Sequence, residues 1–155
     1  MNCEKPQKKM KYYMMLAIQE AQLAFDEGEI PIGCVIVYKG KVIGRGHNDK
    51  ELTQNPTRHA EMNAIQNASE YLGNWRLTDC TLYVTAEPCP MCMGAIIQSH
   101  ISKLVFGINE KRYGSVETTS NLGQHPMLPK NFQYYGGICE KQCSDLLKTF
   151  FLQKR

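Results

Sequence analysis

The chain has 155 residues, of which 43% are hydrophobic, and these values predict one globular domain spanning residues 1–155 with a sizeable core. No run of about 18 apolar residues occurs, and residues 1–11 are polar and lysine-bearing. We therefore expect no membrane span, no secretory signal and a cytoplasmic location. Seven cysteines without the dense spacing of a secreted mini-domain indicate a reducing compartment. The net charge of +3 permits a local basic face but does not require a nucleic-acid partner.

The first part of the chain predicts a helix followed by a β-hairpin. Apolar residues recur at helical spacing over residues 12–27, which predicts a helix with one face on the core. Residues 34–38 form a β-branched run, and residues 42–46 continue the strand pattern after a turn at 39–40. The polar residues 49–56 predict a loop.

The middle of the chain predicts two helices separated by a strand. Thr57 is a suitable cap for a helix over residues 59–69. Residues 81–85 predict a strand, and a second helix begins near Cys89, where the preceding Pro88 suits a first turn.

The last part of the chain completes an α/β pattern. Residues 103–107 predict a strand and residues 141–153 a helix, whereas residues 110–133 lack periodicity and predict mostly loop. Strands that alternate with helices indicate a three-layer α/β/α sandwich around a mixed central sheet.

A short motif at the starts of the two central helices carries the chemistry. His59 and Glu61 flank one alanine, and Pro88 later precedes Cys89 and Cys92. One His and two Cys can hold zinc and leave its fourth position open, which suits catalysis. The side chain of Glu61, two positions after His59, points in another direction and does not fit as a metal ligand. Glu61 is therefore free to transfer protons. This H-x-E…P-C-x-x-C pattern is the signature of zinc nucleobase deaminases.

Other interpretations of the cysteines fit less of the pattern. Cys89 and Cys92 could be half of a structural zinc site, a redox pair or two buried thiols. A structural site needs a second pair of ligands, and Cys139 and Cys143, four residues apart, have no His near them. A redox pair leaves His59 without a role.

The chain resembles the cytidine deaminase-like superfamily and, within it, the bacterial tRNA-specific adenosine deaminases. The resemblance extends beyond the metal motif over nearly the whole chain. The segments that carry it are Ile30-Pro31-Ile32-Gly33, Gly46-His47-Asn48, Asn74-Trp75-Arg76-Leu77, Cys80-Thr81-Leu82-Tyr83-Val84-Thr85, Val105-Phe106-Gly107 and Phe150-Phe151 with Lys154-Arg155.

The resemblance implies a zinc site and a substrate pocket. It assigns His59, Cys89 and Cys92 as ligands of Zn²⁺ and Glu61 as the proton shuttle. Water activated at the metal would attack C6 of adenine, with Glu61 as general base and acid. The residues expected to contact the substrate are Asn48, Ile32, Ala60 and Pro88.

The resemblance also implies RNA as the substrate. The wobble adenosine of a tRNA anticodon loop is unpaired and enters such a site at low cost. We expect a homodimer whose interface helps to form the pocket. The residues expected to contact RNA are Lys148, Phe150, Lys154 and Arg155.

Departures from the family pattern support an alternative substrate, a free nucleobase or nucleoside such as guanine, cytosine or a purine analogue. Arg58 stands where a small residue is usual, Ala86 where a larger aliphatic one is usual, and His100 where arginine is usual. Residues 113–132 match the family poorly. A silent RNA-binding module is a third reading, which the presence of Glu61 disfavours.

Overall fold

The protein is described by a computed structural model, which covers residues 4–154 and the side chains of residues 6–154. Arg155 lies outside the described residues. Within them, no helix combines the length and the hydropathy that crossing a membrane requires. The elements are α1 (Glu4–Asp26), β1 (Gly33–Tyr38), β2 (Lys41–His47), α2 (Lys50–Thr53), α3 (Ala60–Leu72), β3 (Thr81–Ala86), α4 (Pro90–Gln98), β4 (Lys103–Ile108), β5 (Gln133–Tyr135) and α5 (Glu140–Gln153).

The five strands form one mixed sheet in the order β2-β1-β3-β4-β5. Strand β1 runs antiparallel to both β2 and β3, whereas β3, β4 and β5 run parallel. The predicted hairpin of β1 and β2 is confirmed, as is the mixed character of the sheet. Because β3 is followed directly by α4, the carboxyl end of this central strand delivers the second half of the motif.

Alternation along β1 places a core on each face of the sheet. Cys34 and Ile36 belong to a cluster with α3 and α4, whereas Val35 and Val37 belong to a second cluster with α1 and α5. Successive residues of a strand point to opposite faces, so a strand buried on both sides is apolar throughout. The predicted three-layer α/β/α sandwich is therefore confirmed.

Several predicted boundaries differ from the structure. Helix α1 begins at Glu4 rather than at residue 12, because its first turns are polar and largely exposed and so show no apolar periodicity. The prediction that Thr57 caps α3 is wrong. His59 is the residue that precedes the helix, while the Thr57 hydroxyl binds Asn55 Oδ1 at 2.7 Å. The loop predicted at residues 49–56 contains the short helix α2.

Glycine in β2 allows α3 to pack directly on the sheet. A Cβ added at Gly46 would overlap the Ala60 carbonyl oxygen and lie 2.6 Å from the Ala64 nitrogen, and one at Gly44 would lie 2.5 Å from the Ala64 oxygen. The first turn of α3, which carries Glu61, therefore takes its position from strand residues that have no side chain.

We expect Gly46→Ala to lower the free energy of unfolding by about 1–3 kcal/mol, the usual cost of overpacking a core. Gly94→Ala is the matched control, since a Cβ at this helical glycine of α4 meets nothing within 4 Å. This control should be neutral or stabilising by up to about 1 kcal/mol. Denaturant unfolding of both variants tests the difference, and equal stabilities would contradict the close approach of α3.

Candidate metal centre and active-site cavity

The starts of α3 and α4 meet at the carboxyl end of β3. His59 precedes the first residue of α3, and Cys89 precedes the first residue of α4, where Pro90 occupies the first turn. Unpaired N–H groups give a helix start a partial positive charge, which favours a thiolate nearby. The chain thus brings a His and two Cys to one point in surroundings that stabilise negative sulfur.

The distances among these side chains match a tetrahedral zinc site. His59 Nδ1 lies 3.6 Å from Cys89 Sγ and 3.5 Å from Cys92 Sγ, and the three atoms all lie within 4.8 Å of one another. Zinc bonds of about 2.3 Å to sulfur and about 2.0–2.1 Å to nitrogen separate tetrahedral ligands by about 3.5–3.8 Å. The donor set therefore fits zinc with one position left open.

The two cysteine thiols differ in acidity. A hydrogen bond from the Cys92 thiol and a second from His59 lower the pKa of Cys89 to about 4, against the opposing effect of burial. The same contact with Cys89, together with burial, raises the pKa of Cys92 far above its usual value. A thiolate is the form that binds a metal, so one ligand is preformed and the other is obtained by loss of a proton.

Glu61 occupies an unusual position for a carboxyl group. The residue is only 4% exposed, and burial raises the pKa of its side chain to about 7, with a further contribution from Cys89 and an opposing one from His59. A general acid–base group is most effective when its pKa lies near the working pH. Glu61, which the sequence predicts as the proton shuttle, therefore has a pKa that suits proton transfer near neutral pH.

One cavity, with a volume of about 210 Å³, joins Glu61 to the metal set. This is smaller than the ~300–1,000 Å³ of sites for drug-sized ligands, so the cavity suits one small planar group. Of the expected substrate contacts, Asn48, Ile32 and Ala60 line it, and Pro88 is not among its lining residues. The Pro88 carbonyl instead accepts a hydrogen bond from the Ser115 N–H at 2.8 Å.

Asn48 is held in place by the backbone around it. Its own N–H binds the Ile32 carbonyl at 3.1 Å, its Nδ2 donates to the Ile30 carbonyl at 3.4 Å, and its Oδ1 accepts from the Lys50 N–H at 3.3 Å. An amide side chain has two N–H donors and two acceptor lone pairs. One donor and one lone pair thus remain for a molecule in the cavity.

One residue of the cavity wall, Tyr113, was not predicted from the sequence. Tyr113 lies in the segment that was predicted only as loop, yet its ring lines the cavity and is 43% exposed. The buried carboxylate of Glu87 holds this loop, since it accepts hydrogen bonds from the backbone N–H groups of Glu110, Glu117 and Thr118. No local pattern in the sequence identifies such long-range partners.

A second buried carboxylate, that of Glu29, binds the segment that follows the lining residues Asn48 and Lys50. Glu29 is 1% exposed, and its two oxygens accept hydrogen bonds from the N–H groups of Glu51 and Leu52 at 3.0 and 3.1 Å. These groups belong to the first turn of α2, where N–H donors have no partner within the helix. Glu29 therefore fixes the loop that follows Asn48.

Arg58, one of the departures from the family pattern, lies in an ion pair. Its Nε and Nη2 donate to the two carboxylate oxygens of Asp49 at 3.0 and 2.7 Å, and Asp49 also accepts from Asn63 Nδ2. Arg58 is not among the residues that line the cavity. Its size therefore does not shape the pocket, whereas Ala86 does line it.

The described residues expected to contact RNA have different environments. Phe150 is 6% exposed and packs edge-on against Phe25, with ring centroids 5.9 Å apart, so its ring serves the core. Its neighbour Phe151 is 51% exposed. Lys148 and Lys154 are exposed, and the Lys154 ammonium lies 5.3 Å from the Phe150 ring.

Known proteins match this chain over nearly its whole length. The sequence model of the MafB19-like deaminases matches residues 8–155. A tRNA-specific adenosine deaminase of Streptococcus pyogenes serotype M1 is 42% identical over 144 residues, which cover 93% of this chain and 84% of the relative. One of Bacillus subtilis (strain 168) is 43% identical over 143 residues, covering 92% and 89%. The chain belongs to the tRNA-specific adenosine deaminase family.

Solved structures agree with this membership of the tRNA-specific adenosine deaminase family. A tRNA:A34 deaminase that performs A-to-I editing at the wobble position of transfer RNA superposes with a TM-score of 0.83 at 37% identity, covering 88% of this chain and 99% of that one. A guanine deaminase from Bacillus subtilis gives a TM-score of 0.60 at 36% identity, covering 70% and 66%. The resemblance expected from the sequence, including the cytidine deaminase-like fold, is confirmed.

We expect Glu87→Gln to lower the free energy of unfolding by about 1–3 kcal/mol at neutral pH, because an amide cannot accept as many hydrogen bonds as the carboxylate. Burial raises the pKa of Glu87, but the N–H and hydroxyl donors of residues 117, 118 and 110 outweigh it, so the pKa is lowered overall. The stabilisation is therefore present above the unfolded value of about 4.3 and lost as the pH falls through the folded value.

Unfolding curves of wild type and Glu87→Gln between pH 3 and pH 7 measure this effect. Glu70→Gln, which changes an exposed carboxylate of α3, is the control and should change stability little. A difference between wild type and Glu87→Gln that stays constant, or grows, toward acid pH would contradict the assignment.

Proposed function

We propose that this enzyme is a zinc-dependent hydrolytic deaminase that converts the wobble adenosine of a tRNA anticodon to inosine. The observation that carries the proposal is the triangle of His59, Cys89 and Cys92, two of which line one cavity together with Glu61: His59 and Cys89. The membership of the tRNA-specific adenosine deaminase family supports the choice of substrate.

The chain's own residues account for the proton transfers. His59, Cys89 and Cys92 would hold zinc, which supplies Lewis-acid chemistry by lowering the pKa of water toward ~7. Glu61 takes one proton from the water that attacks C6 and gives it to the ring nitrogen N1. It then takes the remaining proton of the new C6 hydroxyl and gives it to the amino group, which leaves as ammonia while the C6 carbonyl of inosine forms. Asn48 has a free donor and acceptor to orient the nucleoside.

The cavity favours a base that has left its stack. Its lining is apolar at Ile32, Ala60 and Ala86, and polar at the metal end and at Asn48, Lys50, Glu87 and Tyr113. A base flipped from an anticodon loop presents such a flat face with a polar edge. We propose Asn48, Ile32 and Ala60 as substrate contacts on this ground.

A free purine remains the second candidate substrate. The similarity to a guanine deaminase at 36% identity favours it, as does Ala86, which leaves room beside the base. Arg58 no longer supports it, since that side chain pairs with Asp49 outside the cavity.

The remaining parts of the proposal concern assembly and location. We propose a homodimer in the cytoplasm, as the family resemblance implies. Exposed apolar side chains such as Trp75 at 58% and Met127 at 54% offer surface for self-association. Analytical ultracentrifugation of the zinc-loaded protein tests the dimer.

The substrate is tested by direct comparison of four compounds. The zinc-loaded enzyme is incubated separately with an anticodon stem-loop carrying adenosine at the wobble position, with adenosine, with guanine and with cytosine. We expect ammonia and inosine from the stem-loop at a far higher kcat/KM than any product from the others. Turnover of guanine or cytosine with none of the stem-loop would overturn the tRNA assignment and leave the zinc deaminase.

We expect Glu61→Gln to keep zinc and fold while losing about 10²-fold to 10⁴-fold in kcat, since the amide cannot shuttle protons. Glu70→Gln, an exposed residue of the same helix, is the matched control. Stem-loop turnover and zinc content by atomic absorption are measured for both variants. Near wild-type turnover in Glu61→Gln would remove Glu61 from the mechanism.

A further inference from the structure

Two cavities meet at Lys50. The first is lined by His59, Cys89 and Glu61, and the second lies between the segment around Glu29 and the end of α5, where Phe151 and Lys154 line it. Three residues line both cavities: Ile30, Asn48 and Lys50. A chain that leaves the first cavity toward α5 therefore passes these three residues, of which Lys50 alone carries a charge.

The acidic groups around Lys50 are mostly engaged elsewhere. Asp49 is paired with Arg58, and both oxygens of Glu29 accept hydrogen bonds from the first turn of α2. Two further carboxyl groups line the first cavity together with Lys50, those of Glu61 and Glu87. Glu87 accepts hydrogen bonds from the N–H groups of residues 110, 117 and 118, and Glu61 is the group assigned to the proton transfers. Glu51, also on the rim of the second cavity, is exposed to water. None of the ion pairs in the part of the chain that the structure describes includes Lys50.

Lys50 is nevertheless half-buried, and its backbone is fixed. Its N–H donates to Asn48 Oδ1 at 3.3 Å, so the residue is tied to a side chain that lines both cavities. A lysine side chain at this junction that forms no ion pair is a suitable point charge for a phosphate. The second cavity, at about 510 Å³, is larger than the first and is bordered by the exposed ring of Phe151 and the charge of Lys154.

We propose that the Lys50 ammonium binds the phosphate that joins the target nucleoside to its neighbour in the RNA chain, which makes Lys50 a determinant of specificity for a phosphodiester-linked substrate over a free base. The neighbouring nucleotide lies in the second cavity, with its base against Phe151. This inference rests on the proposed function and deepens it, because a free base carries no group for Lys50 to bind.

The first test compares lysine variants on the stem-loop substrate. Lys50→Ala should lower kcat/KM about tenfold at low salt, mainly through KM, and reduce the slope of log affinity against log salt by about 0.7. Lys50→Arg should restore most of the loss. Lys41→Ala is the matched control, since Lys41 lies at the other end of β2, about 20 Å along the strand from His47 at ~3.3 Å per residue.

The second test removes the charge from the RNA. Stem-loops carrying a methylphosphonate on the 5′ or the 3′ side of the target adenosine are assayed with wild type and with Lys50→Ala. One of the two should lower wild-type kcat/KM about tenfold and leave the Lys50→Ala value unchanged. Thermal unfolding verifies that the variant is folded.

The outcomes separate this inference from the proposed function. Normal turnover of the stem-loop by wild type, with Lys50→Ala equal to Lys41→Ala or with additive losses from both methylphosphonates, overturns the role of Lys50 alone. Failure of wild type to act on any stem-loop overturns the proposed function and this inference together.

Discussion

The convergence of two helix starts on one point is the constraint on which the rest of the site depends. Helix α4 reaches that point because it follows β3 directly, and α3 reaches it because Gly44 and Gly46 let it lie on β2 without intervening side chains. His59 and Cys89 thus stand beside N–H groups that favour negative sulfur. A shift of either helix would separate the ligand atoms, which must lie about 3.5–3.8 Å from one another to bind zinc tetrahedrally.

Three buried glutamates of this site differ because their surroundings differ. Glu29 and Glu87 accept several N–H donors each, and each binds a segment next to residues that line the cavity. Glu61 is buried with less compensation and its pKa rises to about 7. Burial alone penalises a carboxylate, whereas donors stabilise it. The same residue type therefore holds loops in two places and has, in the third, the raised pKa that the proposed proton carrier requires.

Short patterns in the sequence predict part of the fold and of the candidate site. Strand alternation predicted the sheet, because it depends on neighbours in sequence. The H-x-E…P-C-x-x-C pattern predicted His59, Cys89 and Cys92 as metal ligands, and the structure brings these three side chains together although His59 and Cys89 are 30 residues apart. The polar start of α1 and the role of Thr57 could not be predicted in this way. The wall residue Tyr113 depends on a loop held by a carboxylate from another element, and hydrogen bonds between distant segments leave no periodic signal.

The central claim is that the chain itself forms a three-ligand zinc site with one open position. X-ray absorption at the zinc edge of the metal-loaded protein tests it most directly. The account predicts one nitrogen at about 2.0 Å and two sulfurs at about 2.3 Å, with one further light atom from water. A shell without sulfur, a shell of four protein ligands, or a protein that binds no zinc would contradict it.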